Sequence, residues 1–311
     1  MNPRILLVSL ALILSLCLSF GEVRREEYCG KVWRYDLECA LNKTLSNEEI
    51  EKVLSFVDVK GISCVEIAWN TLEWVQKNVR YDVVKASLPP PVITFKGGEV
   101  VVQSPERFYQ TPEETAKLKK GICGDIAILT TALMLAKNCK SYVAFVEFRN
   151  QEVDHLASLV FLDRFYVLDQ NLPPMDLGSY YNKWLREGKR IEQITIYDMG
   201  VKIGNLTVED LKSQDREFTK QDLDLLRALI VDEMKKRFSF GNLDRFEQKA
   251  VLRMKFEGFA DYYSDVFADK IAELIAEKLL EKVDGKWDAF TLEARDNFPD
   301  LEIVLTLFKL P

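Results

Sequence analysis

The stretch Gly121-Ile122-Cys123-Gly124-Asp125 runs straight into Ile126–Lys137, an apolar segment with helical spacing. A cysteine at the start of a helix meets a particular environment. The first N–H groups there lack partners and the aligned peptide dipoles leave partial positive charge, which favours thiolate over thiol. The flanking glycines permit a sharp turn and a close approach. A helix end contributes up to about 2 kcal/mol, and one pKa unit is about 1.4 kcal/mol. The dipole alone therefore lowers a thiol pKa by roughly one unit, and a thiolate at neutral pH needs an adjacent cation. The chain holds a single histidine, His155.

The ends and the charge narrow the context. Residues 1–21 read as a signal peptide or N-terminal anchor. Arg4 precedes the apolar run Ile5–Phe20, and Ser19-Phe20-Gly21 is a small-x-small cleavage pattern. That run is short of the roughly 20 residues a spanning helix needs, so cleavage is the first reading and a membrane tether the second. The expected location is extracytoplasmic, secreted or tethered. The net charge is −7, and −7 − 1 = −8 once Arg4 leaves with the leader. An acidic chain is a poor nucleic-acid binder, because such binding rests on neutralising phosphates. Beyond the leader stand Cys29, Cys39, Cys64, Cys123 and Cys139. If Cys123 stays free, the other four allow two disulfides in three pairings. Cys29–Cys39 with Cys64–Cys139 is preferred, since it closes one local and one long loop. Buried free thiols are the competing reading.

The chain divides into a charged, irregular N-terminal segment (22–62), a core (63–205) and a helical C-terminal lobe (206–311). Ser46 with Glu49 and Ser63 with Glu66 open helices by the capping-box pattern. Pro89–Pro91 is extended, and Val92–Phe95 and Glu99–Val102 flank a turn, giving a hairpin. Thr111-Pro112-Glu113-Glu114 caps a short helix that leads to Gly121. In the helix Cys123–Lys137, the side chains of Ile126, Leu129, Thr130, Leu133 and Met134 are expected to face the core. Tyr142–Arg149, His155–Leu162 and Phe165–Asp169 read as an antiparallel meander packed on that helix. Gly178–Glu187 reads as a helix and Ile191–Met199 as a strand. Thr219–Phe238, Leu243–Phe259 and Tyr262–Val283 read as three helices, with Leu301–Leu307 as a final strand. The aromatic series Phe256, Phe259, Tyr263 and Phe267 is taken as core.

Cys123, His155 and Asp169 then fall in the chain order of a nucleophile, a base and a group that orients the base. Alternation of side chains along strands makes this testable. His155 and Asp169 share a face only if the loop near Leu162–Arg164 has an odd number of residues, and an odd loop is expected. Asp125 is expected to support the first turn of its helix. One histidine and no C-x-x-C spacing leave no basis for a zinc site, and no phosphate-binding glycine loop is present. No cofactor or metal is expected.

Three segments resemble the transglutaminase-like superfamily. They are Gly121-Ile-Cys-Gly-Asp-Ile-Ala-Ile-Leu, Asp154-His155-Leu-Ala-Ser-Leu-Val and Tyr166-Val-Leu-Asp169. The upstream Trp74-Val-Gln-Lys-Asn-Val-Arg-Tyr81-Asp82 is similar to a segment common before that core. The resemblance covers about Ser63–Asp176 and points to an exported microbial or archaeal member. It implies an α+β, papain-like core with a helix bearing Cys123 packed on an antiparallel sheet. Cys123 would be the nucleophile, His155 base and then acid, and Asp169 the orienting group. A tryptophan shortly after the histidine is frequent in the family, whereas Leu156, Ala157 and Ser158 follow here. The implied activity is cysteine-dependent acyl transfer on peptide or carboxamide substrates. The oxyanion would rest on the Cys123 N–H and on Gln103, Tyr109 or Gln110. The alternative is a catalytically idle surface module of the same fold that binds protein.

Overall fold

A computed structural model of the chain describes residues 25–97, 99–151, 154–241 and 245–310. The N-terminal segment, expected to be irregular ahead of the Ser46 helix, is helical there too, with α1 over 25–32 and α2 Leu37–Thr44, and α3, Asn47–Leu54, is the helix read after Ser46. Asp36 caps α2 by accepting the Cys39 N–H at 3.0 Å. Helix α4, Cys64–Asn78, starts where Ser63 accepts the Glu66 N–H. Short elements follow: β1 Arg80–Tyr81 and α5 Val83–Ser87, then the hairpin β2 Val92–Lys96 and β3 Glu99–Gln103. Thr111 and Glu114 form the expected capping box of α6, Pro112–Leu118. Strand β4, Lys120–Gly121, pairs in parallel with β1, Tyr81 opposite Gly121.

Helix α7, Cys123–Ala136, is buried on every side from Gly124 to Met134, not along one face as its periodicity suggested. It lies on a six-stranded sheet of order β10-β9-β5-β6-β7-β8. The strands are β5 Ser141–Phe148, β6 His155–Phe161, β7 Phe165–Leu168, β8 Met175–Asp176, β9 Ile191–Asp198 and β10 Val201–Thr207. Helix α8, Leu177–Arg186, follows β8, and α9, Val208–Lys212, follows β10. Both faces of the sheet are covered. Val143, Val160, Tyr166 and Leu168 pack with α7, while Val146, Leu159 and Val167 pack with Tyr180, Trp184 and Leu211 of α8 and α9. This alternation is the period-2 rule for strands.

The C-terminal part corrects the expectation of a helical lobe. Helix α10, Lys220–Lys235, is capped by Thr219 as read. The expected helix at Leu243–Phe259 is instead β12, Gln248–Phe256, which follows β11, Ser239–Phe240. Helix α11 is only Ala268–Leu280, and β13 Ala289–Asn297 and β14 Asp300–Lys309 complete a sheet of order β11-β13-β14-β12. Ala250, Leu252, Met254 and Phe256 of β12 pack toward the core while Lys249, Val251, Arg253 and Lys255 are exposed. That alternation belongs to a strand, although the residues themselves favour helix. Phe267 joins this part to the core through Trp69 and Tyr166, with ring centres 6.2 and 5.3 Å apart. The chain is an α+β fold with helices on both of its larger sheets.

Both preferred disulfides form, Cys29–Cys39 and Cys64–Cys139, and Cys123 is free. The second ties the start of α4 to the segment after α7. The leader and tether, residues 5–20, lie outside the described residues. No helix among the described residues is long and apolar enough to cross a membrane, which counts against the expected tether.

Candidate functional site

The first turn of α7 is held by one carboxylate. Asp125 is fully buried, and its Oδ2 accepts the Ile122 N–H at 2.9 Å and the Lys85 ammonium at 2.7 Å. Its Oδ1 accepts the Gln110 N–H at 2.9 Å. One side chain thus fixes α5, the approach to α6 and the helix that presents Cys123. The glycines around Cys123 serve close packing, not a special backbone turn. A Cβ on Gly124 would lie 2.9 Å from Tyr109 Cε1, and one on Gly121 would lie 2.8 Å from Asp125 Cβ.

The loop between β6 and β7 has the odd length expected, Leu162-Asp163-Arg164, closed by Phe161 opposite Phe165. His155 and Asp169 therefore share a face, and His155 Nε2 lies 2.9 Å from Asp169 Oδ1. The face is the one covered by α8. Trp184 meets the imidazole edge-on at 5.3 Å between ring centres, and Tyr180 donates its hydroxyl to Asp169 Oδ2 at 3.1 Å. Lys183 Nζ stands 3.6 Å from the same oxygen. Cys123 comes from α7 on the opposite face and meets the histidine where β6 begins. The competing carboxylates are used elsewhere: Asp154 accepts the Phe148 N–H, and Asp163 is an exposed neighbour of Arg164.

The electrostatics follow from this packing. Burial would raise the Cys123 thiol, but the His155 ring and the backbone N–H groups of Leu156 and Gly124 bring it below its ordinary value. Burial would lower His155. The charge and hydrogen bond of Asp169, with a smaller contribution from Cys123, outweigh burial and hold the ring at about 10. Asp169 is pushed up by burial but ends below its ordinary value through His155, Lys183 and Tyr180. The lowered thiol, the raised imidazole and the buried carboxylate together favour a thiolate–imidazolium pair.

The sequence reading missed Tyr81, Tyr180, Lys183 and Trp184. The β1–β4 pairing brings Tyr81 beside the start of α7, where the Cys123 backbone N–H meets its phenol oxygen. Trp184 supplies, from α8, an aromatic wall absent after the histidine in sequence. No local pattern announces any of the four, since each arrives through long-range packing.

These findings correct the acyl-transfer expectation, both as activity and as enzyme class. Cys29, Cys39, Cys64 and Cys139 are tied in disulfides and are structural. Tyr81 stands near the backbone N–H of the remaining thiol, Cys123, where the oxyanion was to sit. Of the second-donor candidates, Gln103 is exposed on the hairpin, and Gln110 accepts the Thr115 hydroxyl through its Oε1. Tyr109 lines the cleft above Cys123. The acyl-transfer reading is not carried forward.

Above Cys123 opens a cleft of about 430 Å³, walled by Pro90, Pro91, Phe108, Tyr109, Phe145 and Leu156. Arg107 and Asp154 are the charged groups on its lining.

The chain is 40% identical to a UPF0252 protein of Archaeoglobus fulgidus, over 96% of this chain and 97% of the relative. A UPF0252 protein of Pyrococcus horikoshii is 28% identical over 63% of this chain and 62% of its own length. One of Methanocaldococcus jannaschii is 30% identical over 49% of this chain and 43% of its own. The family model described as a transglutaminase-like domain, DUF553, matches residues 40–197, a span that holds Cys123, His155 and Asp169. Alike along nearly its whole length to the Archaeoglobus relative, and matched over half of it by that domain, the chain belongs to the UPF0252 family of transglutaminase-like domain proteins.

Proposed function

We propose that this protein is a polypeptide-binding module built on a transglutaminase-like core, with the Cys123 cleft as its binding site. Cys123 lies on the floor of that site, with His155 and the buried Asp169 behind it. The papain-like core is taken as residues 63–205, with 206–311 as an accessory lobe that buttresses it. The observation that carries the reading is the apolar surface around the cleft. Tyr81, Val83, Val84, Val92 and Phe95 are all exposed, Phe95 by 70%. They lie on the same stretch of chain whose Pro90 and Pro91 form one cleft wall. Apolar side chains left in water on the chain that adjoins a concave site favour a docking surface.

The test combines binding with chemistry. A fluorescein-labelled library of synthetic octapeptides is screened by polarisation, and bound peptides are tested for shielding Cys123 from iodoacetamide. The reading expects saturable binding, protection of Cys123 and no change in peptide mass. Release of ammonia or a cut peptide, abolished by Cys123→Ala, would overturn it, as would binding that leaves the thiol unshielded.

A further inference from the structure

On the lining of the Cys123 cleft, Arg107 has no acidic partner among the described residues. Arg107 is half-buried on the cleft lining beside Phe108 and Tyr109. Its Nη1 donates to the Leu88 carbonyl oxygen at 3.2 Å, which fixes the guanidinium against the start of the Pro89–Pro91 wall. No carboxylate pairs with it among the described residues. Elsewhere the half-buried arginines have acidic partners: Arg34 with Glu114, Arg164 with Asp265 and Arg216 with Asp222. In a chain of net charge −7 such partners are plentiful, so an unpaired guanidinium in a concave apolar site stands out. Its field also reaches the neighbouring phenols, opposing the upward push that burial gives Tyr81 and Tyr109.

A guanidinium fixed on one side keeps its remaining N–H donors for a planar anion, and carboxylate is the planar anion that polypeptides carry. We infer that Arg107 receives a carboxylate of the bound polypeptide, so that the cleft selects segments in which an acidic group neighbours an apolar side chain. The apolar side chain lies against Pro90, Pro91 and Phe145. Asp154, the other charge on the lining, disfavours a second acidic group, so the preferred segment is singly acidic. The carboxylate belongs to an aspartate or glutamate side chain or to a chain terminus. This inference rests on the binding reading above.

The test uses the whole protein and three labelled octapeptides of alanine and phenylalanine. The first has one central glutamate and an amidated end, the second glutamine in its place, and the third glutamine with a free carboxyl terminus. Charge-assisted hydrogen bonds predict roughly 10- to 100-fold tighter binding of the first or third peptide than of the second. Which of the two is favoured identifies the source of the carboxylate. Arg107→Gln should remove the preference, with an unchanged urea midpoint showing that the variant is folded. Arg107→Lys should restore part of it. Equal binding of all three peptides to the unaltered protein would overturn the role of Arg107 while leaving the binding reading intact, as would a preference that survives Arg107→Gln. Failure of every peptide to bind would overturn both.

Discussion

Replacing Asp169 by asparagine should cost Cys123 its thiolate across the neutral range. The His155 ring stands at about 10 against an ordinary 6.5. At about 1.4 kcal/mol per pKa unit, that is about 5 kcal/mol of preference for the charged ring. Burial opposes it, and among the upward pulls the charge and hydrogen bond of Asp169 exceed those of Cys123. Losing the carboxylate therefore removes at least half of the preference, more than about 2 kcal/mol. The buried ring then titrates below neutral or close to it, and burial returns the thiol toward 9 or above. The assay is alkylation of Cys123 by iodoacetamide, followed by intact mass between about pH 5 and 10 with both disulfides left closed. The unaltered protein should alkylate at an undiminished rate through neutral pH. Asp169→Asn should be slower at pH 7 by roughly tenfold or more, with its midpoint moved to the alkaline side. Asparagine preserves shape and can still accept from Nε2 and from Tyr180. Overlapping profiles from two folded proteins would therefore refute the argument that the carboxylate's charge holds the pair.

The stability of the pair has a definite pH signature. The raised His155 contributes fully below 6.5 and loses its contribution as pH rises through about 10. The lowered Cys123 contributes above 9 and loses its contribution as pH falls through its folded value. Where the folded pair is ionised and the unfolded pair neutral, the proton counts match, so the urea midpoint should be level there and fall only above about pH 9. In Cys123→Ser it should instead fall steadily from 6.5 upward. Asp125→Ala leaves the Lys85 ammonium buried without its partner and should cost about 3–5 kcal/mol in urea unfolding. The double variant Lys85→Met/Asp125→Asn should lose less. Gly178→Ala drives a Cβ to 2.3 Å from the Asp215 backbone. It should cost about 1–3 kcal/mol and, by shifting α8 with Tyr180, move the alkylation midpoint of Cys123 upward. Replacing Cys64 and Cys139 by alanine opens a loop of 75 residues. This should lower stability by about 4 kcal/mol in the chain-entropy account, read as a lower urea midpoint.

Much of the core was legible in the sequence because its signals are local. The capping residues Ser63 and Thr111, the glycine-turn hairpin and the proline run each act over a few positions. The face shared by His155 and Asp169 could be read from loop parity alone, since a strand's period is two. The cysteine pairing was narrowed by keeping one thiol free and by preferring one local and one long loop, the pairing that forms. Where local preference and tertiary context disagreed, the sequence misled. Leu252, Arg253, Met254 and Lys255 are good helix formers, yet β14 offers Gln248–Phe256 a full antiparallel ladder and makes it a strand.

The sequence by itself determined which residues could carry charge and chemistry: the single histidine, Cys123 at a helix start between two glycines, and Asp169 in register. Only the tertiary structure decided what surrounds them. The phenol of Tyr81 at the Cys123 N–H, the support of Asp169 by Tyr180 and Lys183, and the wall made by Trp184 all come from elements far apart in the chain. A pKa answers to the desolvation and charges around a group after folding, and sequence spacing does not encode these. The same holds for Arg107, whose place on the cleft lining without an ion-pair partner among the described residues comes only from folding.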